Sequence, residues 1–316
     1  MSALHVKQPG LLSLLQDRGR FGEAALGLSN GGPMDPVAHN LCNRLLQNHS
    51  DATVVEVSFG GLELEAGADT QLCITGAELT VRIDNRECAT WEVLDIRAGQ
   101  RLTLGFSERG CRSYLGVRGG FIVQPSFGST ATVLREGIGG LRGDRLAVDD
   151  ILPFAPSAPM DRLRLHRADR PHYSHQATVR VVPGYQEHHF ARIEQRRFFS
   201  SAYLVSQRSD RMGYRLDGPA VRCDIEGILS EGIAQGAIQV PADGQPIVLL
   251  NDRQTIGGYP KLGCALSIDC AVMAQLRAGD ELNFTPISKH NAHNALHLAQ
   301  AFELSRRLEL IPHDNR

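Results

Sequence analysis

The sequence has no run of 18 apolar residues, so no transmembrane helix is expected. Its opening, MSALHVKQPGLLSLLQD, carries one lysine and a broken apolar stretch that ends at once in Gln16, Asp17 and Arg18. That is not the plan of a signal peptide, and the cytoplasm is the expected location. Neither sign of charge dominates: 33 basic residues face 35 acidic ones, for a net charge of -2. A nucleic-acid binder needs a basic field, so that class is not expected, although Arg192, Arg196 and Arg197 make a local basic patch. The seven cysteines form no CxxC, and their number is odd. In a chain of 316 residues this argues for buried, reduced thiols rather than a disulfide framework. The twelve histidines form no HExxH, and no metal site is expected. No GK[ST] follows the glycine-rich stretch at 137–143.

What is present reads mostly as β. Short segments at Val54–Ser58, Leu62–Glu65, Gln71–Thr75, Leu79–Ile83, Arg101–Gly105 and Ser113–Val117 carry alternating or β-branched apolar residues. Glycines and polar residues punctuate them, a spacing that suits barrels or sandwiches rather than βαβ units. Helices are few. Asp35 caps a predicted helix with Pro36 at its first position and a stripe of Val37, Leu41, Cys42, Leu45 and Leu46. A second is predicted after Asp269, with Val272, Met273 and Leu276. A third is predicted over about Ala292 to Leu308, with Leu and Ala positions suited to a barrel edge. Prolines and charges replace apolar periodicity across 151–171, which places a boundary there: an N-terminal β-rich domain over 1–155 and a C-terminal one over 156–316. The halves echo each other weakly, as in AGQRLTLGF and AGDELNFTP.

Polar clusters mark candidate sites. In LLQDRGRFGEAALGLSNGGPMD, Asp17, Arg18 and Arg20 flank glycine turns. An arginine there can grip a carboxylate, or Asp17 and Arg20 can simply brace the turn. In GSTATVLREGIGGLRGDRL, a glycine-rich loop can admit a ligand or form a plain turn. In SQRSDRMGYRLDG, Arg208, Asp210, Arg211 and Tyr214 form an anion-accepting charge site or a surface ion-pair network. In NDRQTIGGYPKLG, Asp252, Arg253, Gln254, Tyr259 and Lys261 follow the apolar segment Ile247–Leu250. Tyr259 can stack on a flat group there, and Lys261 can offset an anion. Glu56 and Glu231 each lie in or beside a predicted strand, and nothing in their spacing brings them together.

QDRGR, GGPMD, RSYLGVRGG, LREGIGG, RSDRMGYRL, NDRQTIGGYPKLG and AGDELNF together resemble one family over nearly the whole chain. It includes the 5-oxoprolinase C-subunit, KipA-type regulators and a subdomain of allophanate-hydrolase and urea-carboxylase proteins. The resemblance implies two cyclophilin-like β-barrel domains. It implies two protein partners, one KipI-like and one LamB/YcsF-like, in a complex that cleaves a cyclic amide with ATP. Magnesium is expected with the nucleotide, and no cofactor is assigned to this chain alone. Carried onto this sequence, it implies catalytic roles for Asp210, Asp252, Arg253 and Lys261. It implies substrate or nucleotide contacts for Asp17, Arg20, Arg208, Arg211, Tyr214, Gln254 and Tyr259. Two other roles within the family stay open. One is a carboxyltransferase component of a urea-type biotin-dependent carboxylase; the other is a non-enzymatic antagonist of a KipI-like protein.

Overall fold

The computed structural model describes residues 2–311, and the architecture is mainly β, as expected. The chain divides into two compact units. The first takes residues 2–20, 31–173 and 305–311, and the second takes 21–30 and 174–304.

The first unit is built of two antiparallel sheets. In one, Ala3–Pro9 and Leu62–Ala66 lie between Ile151–Pro153 and Arg101–Leu104. In the other, the order is Leu12–Gln16, Val54–Ser58, Arg109–Val117, Thr70–Glu78 and Val93–Ile96. The period-2 alternation of strands decides what meets what. Val55, Val57, Leu72, Ile74, Leu115 and Val117 point into one core with Leu4, Val6, Leu64 and Leu104 of the first sheet. The intervening residues point to the opposite face, where α1 (Pro36–Leu45) packs. Asp35 Oδ1 accepts from the Ala38 N–H at 3.1 Å, the cap expected from the sequence. Helix and sheet approach closely at Gly116, where a Cβ would lie 2.7 Å from Leu46 and 2.8 Å from Cys42.

The second unit contains a closed seven-stranded barrel. Its order is Gln176–Pro183, Lys261–Ala265, Ala237–Gln239, Ile247–Leu249, Gly213–Asp217, Ala202–Val205 and Glu281–Pro286. The first and last of these pair in parallel and close the ring. Helix α2 (Arg192–Ser200) lays Phe198 against Phe284, with ring centroids 4.5 Å apart.

Several boundaries differ from expectation. Residues 156–173 belong to the first unit, because Leu163–Leu165 pairs with Leu308–Leu310 and Leu165 and Tyr173 join the core under α1. Helix α3 (Ser267–Met273) starts before Asp269, which sits in its first turn and holds Arg180 through two guanidinium bonds of 2.9 and 2.6 Å. Leu276 lies beyond the end of α3. Helix α4 (Lys289–Ser305) buries only Ala292, with Leu298 and Leu304 exposed, and Leu308 is in a strand.

Candidate functional site

The polar segments sort into those that hold the fold and those that face solvent. In the barrel unit, Arg211 and Asp252 are both buried and form a bidentate ion pair: Nε to Oδ2 at 2.8 Å and Nη2 to Oδ1 at 3.0 Å. The pair ties the turn before Gly213–Asp217 to the turn after Ile247–Leu249. Arg253 points inward and donates to the Ile233 and Leu250 carbonyls, both at 3.1 Å, and to Asn30 Oδ1 at 3.1 Å. Desolvation pushes its pKa down. Ser29 Oγ donates to the Arg253 carbonyl at 2.7 Å, so residues 21–30 are fastened to this loop. Tyr214 is a barrel-core residue whose hydroxyl donates to the Leu276 carbonyl at 3.1 Å. Asp210 is exposed and accepts the Met212 N–H at 2.8 Å, an Asx turn. Arg208 is exposed, and Gln254 is half-buried.

Lys261 begins a barrel strand, and its ammonium pairs with Glu231. Glu231 Oε1 also accepts from Gln186 Nε2 at 2.9 Å. Lys261 first, then Gln186, holds the Glu231 carboxyl below its ordinary range. Glu231 sits opposite Gly257 in a two-residue ladder, and the half-exposed Tyr259 lies two positions further along the chain. Space at Gly257 is tight: a Cβ would lie 2.3 Å from Ile233 Cδ1 and 2.7 Å from Gln239 Nε2, so both side-chain ends would have to shift. Lys261, Glu231 and Gln186 thus form a cation–carboxylate cluster opposite Gly257, with the carboxylate exposed and the ammonium mostly covered. An incoming anion can compete with Glu231 for the ammonium there.

In the first unit, Asp17 and Arg20 both tie down the 126–131 segment. Asp17 accepts from Ser129 Oγ at 2.6 Å and from the Thr130 N–H at 2.7 Å. Arg20 is fully buried and donates to the carbonyls of Ser126, Ser129 and Ala131. The GGPMD segment is held from below by side chains on three adjacent strands. Gln16 Oε1 accepts the Gly32 N–H at 3.0 Å, Glu56 Oε2 accepts the Met34 N–H at 2.9 Å, and Tyr114 Oη accepts the Asp35 N–H at 2.7 Å. Tyr114 in turn donates to Glu56 Oε2 at 2.8 Å, and Tyr173 donates to Asp35 Oδ2 at 2.9 Å. Desolvation, then the Glu56 and Asp35 charges, push the Tyr114 pKa well up.

Sequence reasoning did not single out Gln186, Asn30, Tyr114 or the pairing of Glu231 with Lys261. The strand alternation that puts Gln16, Glu56 and Tyr114 on one face was a usable signal. The partners in the barrel unit had none. No group of three or more potential metal ligands occurs among the described residues, and the seven cysteines form no disulfide.

The family model described as "Carboxyltransferase domain, subdomain A and B" matches residues 26–286. The chain belongs to this carboxyltransferase-domain family. The 5-oxoprolinase C-subunit of Escherichia coli K12 is 38% identical over 290 residues, covering 92% of this chain and 93% of that protein. The Haemophilus influenzae 5-oxoprolinase C-subunit is 34% identical over 280 residues, covering 88% of this chain and 89% of the relative. Among solved structures, the K. lactis urea amidolyase superposes with a TM-score of 0.90 at 25% identity over 96% of this chain. The chain spans 20% of the length of that larger protein. Members of this carboxyltransferase-domain family thus occur both as stand-alone subunits and as parts of longer chains.

Proposed function

We propose that this chain is a subunit of an ATP-dependent 5-oxoprolinase. It would act with a KipI-like partner and a LamB/YcsF-like partner to open 5-oxo-L-proline to L-glutamate. The observation that carries this reading is the end-to-end match: 92% of this chain aligns with 93% of the E. coli relative. A lactam carbonyl is a poor electrophile because the ring nitrogen donates into it. ATP, accompanied by magnesium, supplies a phosphoryl group to the lactam oxygen. Water then adds to the activated carbon, and the ring C–N bond breaks with nitrogen taking a proton. The resulting acyl phosphate is hydrolysed by a second water to glutamate and phosphate.

Within this chain, Lys261 is the group for a carboxylate or phosphate, and Glu231 is the resident counter-ion that the anion displaces. Tyr259, two positions earlier in the chain than Lys261, offers a half-exposed ring. Arg211, Asp252 and Arg253 set the shape of the loop that leads into this turn. Arg208 and Asp210 are exposed and available to substrate or to a partner protein.

The test is reconstitution. The chain is mixed with its KipI-like and LamB/YcsF-like partners, and glutamate release from 5-oxoproline is followed with and without ATP. ATP-dependent release that needs this chain is expected, and Lys261→Ala should lower it by about a hundredfold. A folded complex that releases no glutamate would overturn the reading. The family description and the urea amidolyase match favour carboxyl transfer as the second reading. It would show as turnover dependent on a biotinylated carrier in place of 5-oxoproline. Tight binding to the KipI-like partner with no turnover of either kind would point to an antagonist.

A further inference from the structure

The first unit holds a cavity of about 540 Å³ that none of the clusters above uses. Its wall carries three arginines, Arg97, Arg118 and Arg162, against two aspartates, Asp69 and Asp95. The aspartates are partly committed. Asp69 Oδ1 accepts the Ala98 N–H at 2.8 Å, and Asp95 Oδ1 accepts from Gln71 Nε2 at 3.0 Å. The arginines are poorly neutralised. Arg162 Nε stands 3.8 Å from Asp95 Oδ2, too far for a hydrogen bond. The Arg97 guanidinium has no hydrogen bond or ion pair among the described residues. Arg118 donates to the Leu46 carbonyl at 3.0 Å and meets Met160 Sδ, with no carboxylate partner. Burial pushes its pKa down.

The same wall is fixed in place. Gln71 clamps residue 160 from both sides: its Nε2 donates to the Met160 carbonyl at 2.8 Å, and its Oε1 accepts the Met160 N–H at 3.0 Å. The proline-containing segment around Met160 is therefore docked as one side of the cavity. A cavity of this size takes a small molecule, and planar guanidinium forks select oxyanions. We propose that this cavity binds a small carboxylate- or phosphate-bearing molecule, held by Arg97, Arg118 and Arg162.

The test is calorimetric titration of the full chain at low salt with inorganic phosphate and, separately, with succinate. These two probes distinguish phosphate from carboxylate as the recognised group. Saturable binding of at least one is expected, and it should persist in Lys261→Ala. Arg97→Gln and Arg162→Gln should each weaken it by about tenfold. Asp95→Asn should tighten it, because it removes a competing charge and leaves an oxygen for Gln71. Lys261→Ala should leave it unchanged, which separates this site from the proposed lactam site. Arg97 and Arg162 hold no buried partner, so these variants test binding in a folded protein. The proposal is overturned if neither probe saturates, if binding ignores both arginine variants, or if Lys261→Ala abolishes it.

Discussion

Tyr114 and Glu56 face each other across adjacent antiparallel strands, and one hydroxyl joins them to the backbone above. Tyr114 Oη donates to Glu56 Oε2 and accepts the Asp35 N–H, while Glu56 also takes the Met34 N–H. A buried carboxylate is costly unless its oxygens are bonded, and here the loop's own amides do part of that work. The sheet face and the GGPMD segment therefore stabilise each other, and the N-terminal cap of α1 is positioned by both.

Tyr114→Phe removes the acceptor of the Asp35 N–H and one donor to Glu56 without opening a cavity. The expected loss is about 1–3 kcal/mol. It is read as a lower denaturation midpoint with an unchanged slope.

The Arg211–Asp252 pair makes a sharper prediction. Asp252→Ala leaves a buried guanidinium without its carboxylate and should cost about 3–5 kcal/mol. The double variant Arg211→Met/Asp252→Leu should recover much of that loss, because both desolvated charges go together. Equal losses for the single and double variants in chemical denaturation would contradict this account.

His39 on α1 is fully buried, and desolvation pushes its pKa below the ordinary 6.5. Asn40 and the charges of Asp17, Glu56 and Asp51 pull against that shift. Well above pH 6.5 the ring is neutral both folded and unfolded, so no proton-linked cost arises. Below that value the unfolded chain takes up the proton first, and stability falls until the folded pKa is reached. Unfolding free energy measured between about pH 7 and pH 5 should drop less in His39→Gln than in the parent.

Gly257→Ala would drive a methyl group into Ile233 and the Gln239 amide. An overpacking loss of about 1–3 kcal/mol is expected, along with displacement of Glu231 across the ladder. A thermal melt gives the first, and a Glu231 titration by NMR that moves back toward the ordinary carboxylate range gives the second.

Much of the fold is legible locally. Val54–Ser58 is a strand with the limits its alternation predicts, and Asp35-Pro36 opens α1 as capping rules require. Such features depend on residues a few positions apart. The boundary expected within 151–171 differs from the observed division, in which the first unit runs on to Tyr173, because composition does not record docking. Gln71, far earlier in the chain, decides where Met160 sits, and Leu163–Leu165 finds its strand partner near the C-terminus.

Residue order alone makes this chain β-rich and gathers its polar residues in a few turns. It also determined which family motifs the chain carries. Tertiary structure alone decided which polar residues hold the fold and which face solvent. Asp252 meets Arg211 only because the barrel brings two turns together, and Arg253 meets Asn30 across 223 positions. Lys261 finds Glu231 only once strand register is set. Hydrogen bonds and ion pairs act over a few ångströms, whereas the local pattern of a chain does not encode which distant segments come that close.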